Sequence, residues 1–146
     1  MISDVNAAYI AGLFDGEGHI QYKQYMRQRR NNEKPYPTWS VRMEVSMTDK
    51  SVLLLIHDLL GVGTVTKRKN GKGSLGKKQQ WRWRCQLRDA YYVCLLLQPY
   101  AHVKLEKINK IIKHYSELGV EKIKAKVINI ANYKIKLQGE KWKTKK

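Results

Sequence analysis

The chain is 146 residues long and 42% hydrophobic, which suits one domain of ordinary size with a core of its own. Its 29 Lys+Arg against 12 Asp+Glu give a formal net charge of +17, and that self-repulsion would be relieved by a polyanion, with nucleic acid the first candidate. No apolar run approaches the ~18 residues of a membrane span, and the N-terminus lacks the basic start of a signal peptide. Cys85 and Cys94 have no Cys-x-x-Cys spacing, and the four histidines form no i, i+4 pair, so buried free thiols are expected and zinc chemistry is not. A soluble, reducing-compartment protein is the expectation.

The first apolar stretch, Val5–Phe14, has helical spacing after Ser3 or Asp4 as N-cap, and Gly16 and Gly18 end it. A strand over His19–Arg29 and a polar loop over Arg30–Pro37 follow. From Trp39 to Met47 apolar and polar residues alternate, as in a half-buried strand. Met47–Leu60 turns helical, with Thr48 or Asp49 as cap and Gly61 as stop. A second hairpin comprises Gly63–Lys69, a Gly-rich tip over Asn70–Lys78, and Gln79–Leu87. Asp89 is expected to cap a helix ending near Leu97, followed by helices over Val103–Leu118 and Val120–Leu137 and a lysine-rich tail. The order predicts an α+β fold, αββαββα, with a four-stranded antiparallel sheet, helices on one face and extra C-terminal helices. The whole of 1–146 reads as one domain, with a core over about 6–118 and a helix and basic tail over 119–146.

The positive charge is concentrated. Residues 67–88 hold nine basic residues and no acid, and residues 19–42 hold six against Glu33 alone. Both blocks are hairpins. One polarity recurs on all four strands: Gln21, Lys23, Tyr25 and Arg27; Ser40, Arg42, Glu44 and Ser46; Thr64, Thr66 and Arg68; Gln80, Arg82, Arg84 and Gln86. Arg and Gln match the paired donors and acceptors of guanine and adenine in the major groove, so a β-surface seated in double-stranded DNA is favoured over a merely solvated sheet. The 13 lysines after residue 103 are scattered, which suits either non-specific phosphate contact or solubility.

Against that background Asp15 and Glu17 stand out, because they sit at the negative end of the first helix, where carboxylates are unfavourable. They could cap or pair with a neighbouring element, or hold a divalent ion through hard oxygen ligands. Gly12, with Ala8 and Ala11 nearby, suggests a closely packed helix pair, and the partner would be the same helix of a second subunit.

Ile10-Ala-Gly-Leu-Phe-Asp-Gly-Glu-Gly18 closely resembles the LAGLIDADG motif of the homing endonucleases. The predicted element order, the Gly61-Val-Gly-Thr-Val65 lead-in to the third strand, and Leu97-Gln-Pro-Tyr100 followed by Lys104 also resemble the short, single-motif members, with coverage from about Asn6 to Tyr115. The resemblance implies that Glu17 binds the catalytic divalent ions, Mg²⁺ or Mn²⁺, with the Gly16 carbonyl as second ligand. It implies a mainly structural role for Asp15 in the helix pair, and it places Lys104 beside the scissile phosphate. Two positions depart from the family pattern: Met47, beside Ser46, and Ser51, beside Lys50, stand where polar and basic residues are frequent.

The expected activity is site-specific, Mg²⁺-dependent hydrolysis of both strands of a long pseudo-palindromic DNA target by a homodimer packed through Ala8, Ala11, Gly12 and Asp15. An RNA-splicing maturase acting on intron RNA, or a silent DNA-binding regulator of the same fold, is the alternative. The Lys-, Asn-, Ile- and Tyr-rich composition suits an AT-rich genome, organellar or prokaryotic.

Overall fold

The computed structural model describes residues 2–31, 33–69 and 78–118. The elements run α1 (Asp4–Glu17), β1 (Gly18–Arg27), β2 (Tyr36–Met47), α2 (Lys50–Leu60), β3 (Thr64–Lys67), β4 (Trp81–Gln86), α3 (Arg88–Leu97) and α4 (Leu105–Glu117). The four strands form one antiparallel sheet in the order β1-β2-β4-β3, so the second strand of each hairpin lies at the centre. This is the α+β architecture expected from the sequence. The expected tip of the second hairpin, apart from Lys78, and the helix and tail over 119–146 lie outside the described residues. No helix among the described residues is long and apolar enough to cross a membrane.

Alternation decides which sheet face is covered. Val41, Met43 and Val45 on β2 and Trp83 and Cys85 on β4 are buried under the helices, while Arg42, Glu44, Arg82 and Arg84 between them remain partly exposed. One hydrophobic cluster joins these residues to Ile10 and Phe14 of α1, Leu53 and Ile56 of α2, Leu97 of α3, and Ile108 and Ile111 of α4. The Phe14 ring meets Trp83 edge-on at 5.8 Å, and the Trp83 Nε1–H donates to the Val62 carbonyl at 3.1 Å, so the largest core side chain leaves no buried donor unpaired. Cys85 and Cys94 are free and buried; burial pushes both thiols up, Cys94 to about 12.

Several boundaries differ from the sequence expectation. Leu87, with φ +51°, turns the chain sharply and its N–H donates to the Val41 carbonyl at 2.9 Å, so α3 starts at Arg88. Asp89 therefore does not cap α3 but lies within its first turn, where its charge still favours the positive end of the helix. α2 begins at Lys50, since Asp49 takes the cap position and accepts from the Ser51 N–H at 2.9 Å. The β1–β2 pairing extends to Arg27 opposite Tyr36, so β2 starts inside the expected polar loop. From Lys23 to Arg27 every β1 residue is exposed, Met26 by 60%: the outer half of this hairpin projects beyond the helices.

Candidate nucleic-acid interface

The uncovered face of the sheet is built in cross-strand rows. His19, Glu44, Arg84 and Thr64 form one row across all four strands. On one side of it lie Gln21, Arg42 and Gln86; on the other lie Ser46, Arg82 and Thr66. Lys23 stands opposite Ser40, Tyr25 opposite Thr38, and Arg27 opposite Tyr36 along the projecting hairpin. Arg68 and Gln80 lie just beyond the ends of β3 and β4, and the Arg68 N–H donates to the Gln80 carbonyl at 2.9 Å, continuing the ladder. The strand residues singled out in the sequence thus share one face by register. His19, Tyr36 and Thr38 belong to the same rows; continuing the alternation from Gln21 to His19, and from Ser40 to Thr38 and then Tyr36, would have found them.

On this face the Arg84 Nε–H donates to Glu44 Oε2 at 3.0 Å, and Arg84 Nη2 forms an ion pair with the same oxygen at 2.9 Å. The neighbouring Arg42 and Arg82 differ, for their Nε atoms are buried without any partner among the described residues. At the start of β4, Lys50 lies over the Trp81 ring at 4.4 Å, a cation–π contact that holds the first residue of α2 against that strand.

The two acids at the end of α1 have different surroundings. The Asp15 carboxylate accepts from the backbone N–H of His102 at 2.8 Å and of Lys104 at 2.9 Å. Burial raises the Asp15 pKa, but the N–H groups of His102, Lys104 and Val103 outweigh it and hold the carboxyl below its ordinary 3.8. Asp15 therefore ties α1 to the turn before α4, satisfying amides that precede the helix and delaying its start to Leu105. These bonds give Asp15 a structural role within the chain.

Glu17 is exposed and has no hydrogen bond or ion pair among the described residues. It is the last residue of α1, and Gly18 begins β1, so the carboxylate stands at the joint between helix and basic sheet face. Gly16 is exposed in the same turn, where helix carbonyls lack intrahelical donors. Lys104 is partly buried at the start of α4, its backbone fixed by Asp15. No three His, Cys, Asp or Glu side chains converge on a metal site among the described residues. One free carboxylate with unpaired carbonyls is nevertheless a hard-oxygen donor set that suits Mg²⁺, which keeps water and phosphate as further ligands.

The outer face of α1 is the second uncovered surface. Ala7, Ile10, Ala11 and Phe14 are buried in the core, whereas Val5 and Tyr9 are 79% and 47% exposed. Ala8, Gly12 and Gly16 share this exposed side. Ala11, expected beside Ala8 in a helix pair, is instead fully buried inside its own subunit.

A protein-family model of the LAGLIDADG endonucleases matches residues 10–100. The chain belongs to this family. No curated protein matches the chain in a whole-sequence comparison. Among solved structures, the homing endonuclease I-CvuI in complex with DNA targets is similar in two crystal structures, one with Mg and one with Ca. These are 22% identical over 75% and 81% of this chain, with TM-scores of 0.60 and 0.61, and the matches span 64% and 70% of those chains. The archaeal intron-encoded homing endonuclease I-Vdi141I, complexed with DNA, is 14% identical over 81% of this chain and 71% of its own, with a TM-score of 0.58. At these identities the structural likeness concerns the fold, and the LAGLIDADG motif is Ile10–Gly18 of this chain.

Proposed function

We propose that the chain is a homing endonuclease that binds double-stranded DNA as a homodimer and hydrolyses both strands with the aid of a divalent cation. The observation that carries this reading is the free Glu17 carboxylate at the joint between α1 and the basic sheet. Elsewhere on the α1 turn the acid is engaged; this one is left for a ligand from outside the subunit.

Two subunits would meet through the exposed side of α1. A helix that is apolar on both sides is normally covered on both, and a Cβ added at Gly12 or Gly16 would meet nothing within 4 Å among the described residues. The absence of side chains there serves no neighbour among the described residues, and the close approach it permits suits a second copy of α1. Each subunit would then place one Glu17 near the two-fold axis, with its sheet extending outward.

In the assembled site Glu17, with the Gly16 carbonyl, would hold Mg²⁺ or Mn²⁺. Held there, the ion would supply activation of water and stabilisation of the leaving oxygen. Asp15 fixes the backbone of Lys104, and the Lys104 ammonium is thereby presented toward a bound phosphate, where a cation offsets developing negative charge. The sheet positions the duplex: a ten-residue strand such as β1 spans ~33 Å, about one turn of B-DNA. A dimer would read about 20 base pairs.

The test separates binding from chemistry. Glu17→Gln should lower DNA cleavage in Mg²⁺ by ~10³-fold or more, while affinity for the same duplex, measured in Ca²⁺, stays within a few-fold. Equal losses of cleavage and affinity would remove Glu17 from the metal-binding role. Wild-type binding without cleavage would point to the silent regulator.

A further inference from the structure

We propose that Glu44 is a positioning residue for base recognition, holding the Arg84 guanidinium so that its free edge reads a guanine. The inference rests on the DNA-binding reading above and adds a specific division of labour within the sheet.

The geometry of the pair is one-sided. Arg84 turns the side edge of its planar guanidinium to Glu44 Oε2: Nε donates a hydrogen bond to that oxygen at 3.0 Å and Nη2 lies 2.9 Å from it as an ion pair. An arginine has five N–H donors in a rigid fork. The end edge, made by Nη1 and the outward hydrogen of Nη2, has no partner among the described residues. Two parallel donors at that spacing match the O6 and N7 acceptors of guanine in the major groove.

Location supports the same role. The two side chains are only 24% and 21% exposed, so the pair is shielded enough to hold its orientation instead of being screened away. Glu44 and Arg84 occupy the row that crosses all four strands, on the two central strands β2 and β4. A carboxylate on a surface meant only to attract phosphate would oppose its purpose. Here the acid stands among Arg42, Arg82 and Arg84 and engages one of the three by a hydrogen bond and an ion-pair contact. Arg42 and Arg82, whose Nε atoms have no acceptor, lack such a brace. The uniform positive face thus contains one arginine whose direction is set before DNA arrives, which lowers the ordering cost of a base contact.

The experiment uses a randomised duplex library, bound in Ca²⁺ and sequenced, with the full-length wild type, Glu44→Gln, Arg84→Ala, Arg84→Lys and the Glu44→Gln/Arg84→Ala double variant. Thermal melting of each variant confirms folding. The wild type should select guanine at one position of each half-site. Arg84→Ala and Arg84→Lys should lower that preference about 5- to 150-fold, and only there. Glu44→Gln should weaken the same preference by a smaller factor, and it should have no further effect in the Arg84→Ala background. A Glu44→Gln change at a different base pair would make Glu44 a direct contact and overturn the proposal, as would an unchanged guanine preference. A uniform loss across all sequences with Arg84→Ala would make Arg84 a phosphate contact and overturn the proposal as well. If the wild type itself enriches no sequence, the DNA-recognition reading fails and this one with it; enrichment with an indifferent Glu44 overturns the positioning role alone.

Discussion

Two uncovered faces among the described residues, the outer sides of α1 and of the sheet, differ in every physical respect. The outer side of α1 presents Val5, Tyr9, Ala8, Gly12 and Gly16, apolar or bare, on a rigid helix whose other side is locked into the core. The outer side of the sheet presents Arg42, Arg82, Arg84, Gln21 and Lys23 in ordered rows. The first face offers shape but no charge, and is satisfied by a surface like itself. The second offers charge and directed donors, and only an anionic partner with acceptors satisfies it. The C-terminal corner of α1 lies where the two meet.

Ionic strength should separate the faces most strongly. If six to ten of the basic residues contact phosphate, DNA affinity should fall ~10³–10⁵-fold between 50 and 200 mM salt, while self-association followed by sedimentation changes little. A parallel loss of both would mean that the helix face is not the apolar contact described. Gly12→Leu sharpens the comparison from the other side. A Cβ at Gly12 meets nothing within 4 Å among the described residues, and Leu is the better helix former by just under ~1 kcal/mol. Thermal stability of the isolated subunit should hold or rise, yet overpacking at the helix pair should weaken the dimer by ~1–3 kcal/mol. A dimer unaffected by Gly12→Leu would place the interface elsewhere.

Asp15 ties α1 to the turn that carries Lys104, and its loss should be felt in both stability and chemistry. Asp15→Ala should cost ~1–2 kcal/mol of stability, as removal of a helix cap does, and should lower cleavage more than DNA binding, because Lys104 loses its tether. Melting curves and parallel cleavage and binding assays would show the split. The smallest expected effect is that of pH on the packing under β1. His114 lies against Trp39 and Tyr115, accepts or donates one hydrogen bond with the Tyr22 hydroxyl at 3.3 Å, and has Glu117 nearby. Burial lowers its pKa below 6.5, outweighing the opposing pull of Glu117. Below 6.5 the unfolded chain therefore binds the proton first, and stability should decline as pH falls through 6.5 and level off below the folded value. His114→Gln should flatten that slope in urea titrations while leaving the DNA face untouched.

Much of this was legible in the sequence for definable reasons. Strict alternation on β2 and β4 fixes which side chains face outward, since a one-residue slip would bury Arg82 and expose Trp83. The acids ending α1 were visible because they oppose both the helix dipole and the net charge. Helix α1 was harder: with apolar residues on both sides, spacing alone does not tell Ala8, which is exposed, from Ala11, which is buried. The Asp15 tether joins residues 87 and 89 positions apart, and no local pattern encodes it. Nor does one encode the Glu44–Arg84 pair, which depends on β4 crossing over to lie beside β2.

Gly18 carries a consequence for anyone who would retarget the protein. A Cβ there would strike Phe14 at 2.4 Å from its ring and 2.6 Å from its carbonyl oxygen, so helix and sheet are welded by a residue that tolerates no side chain. The weld fixes where the first strand departs from the acidic corner, whatever the outward-pointing residues of that strand are. Specificity is therefore a replaceable inscription on a surface of constant geometry, and its letters can be exchanged without moving the blade.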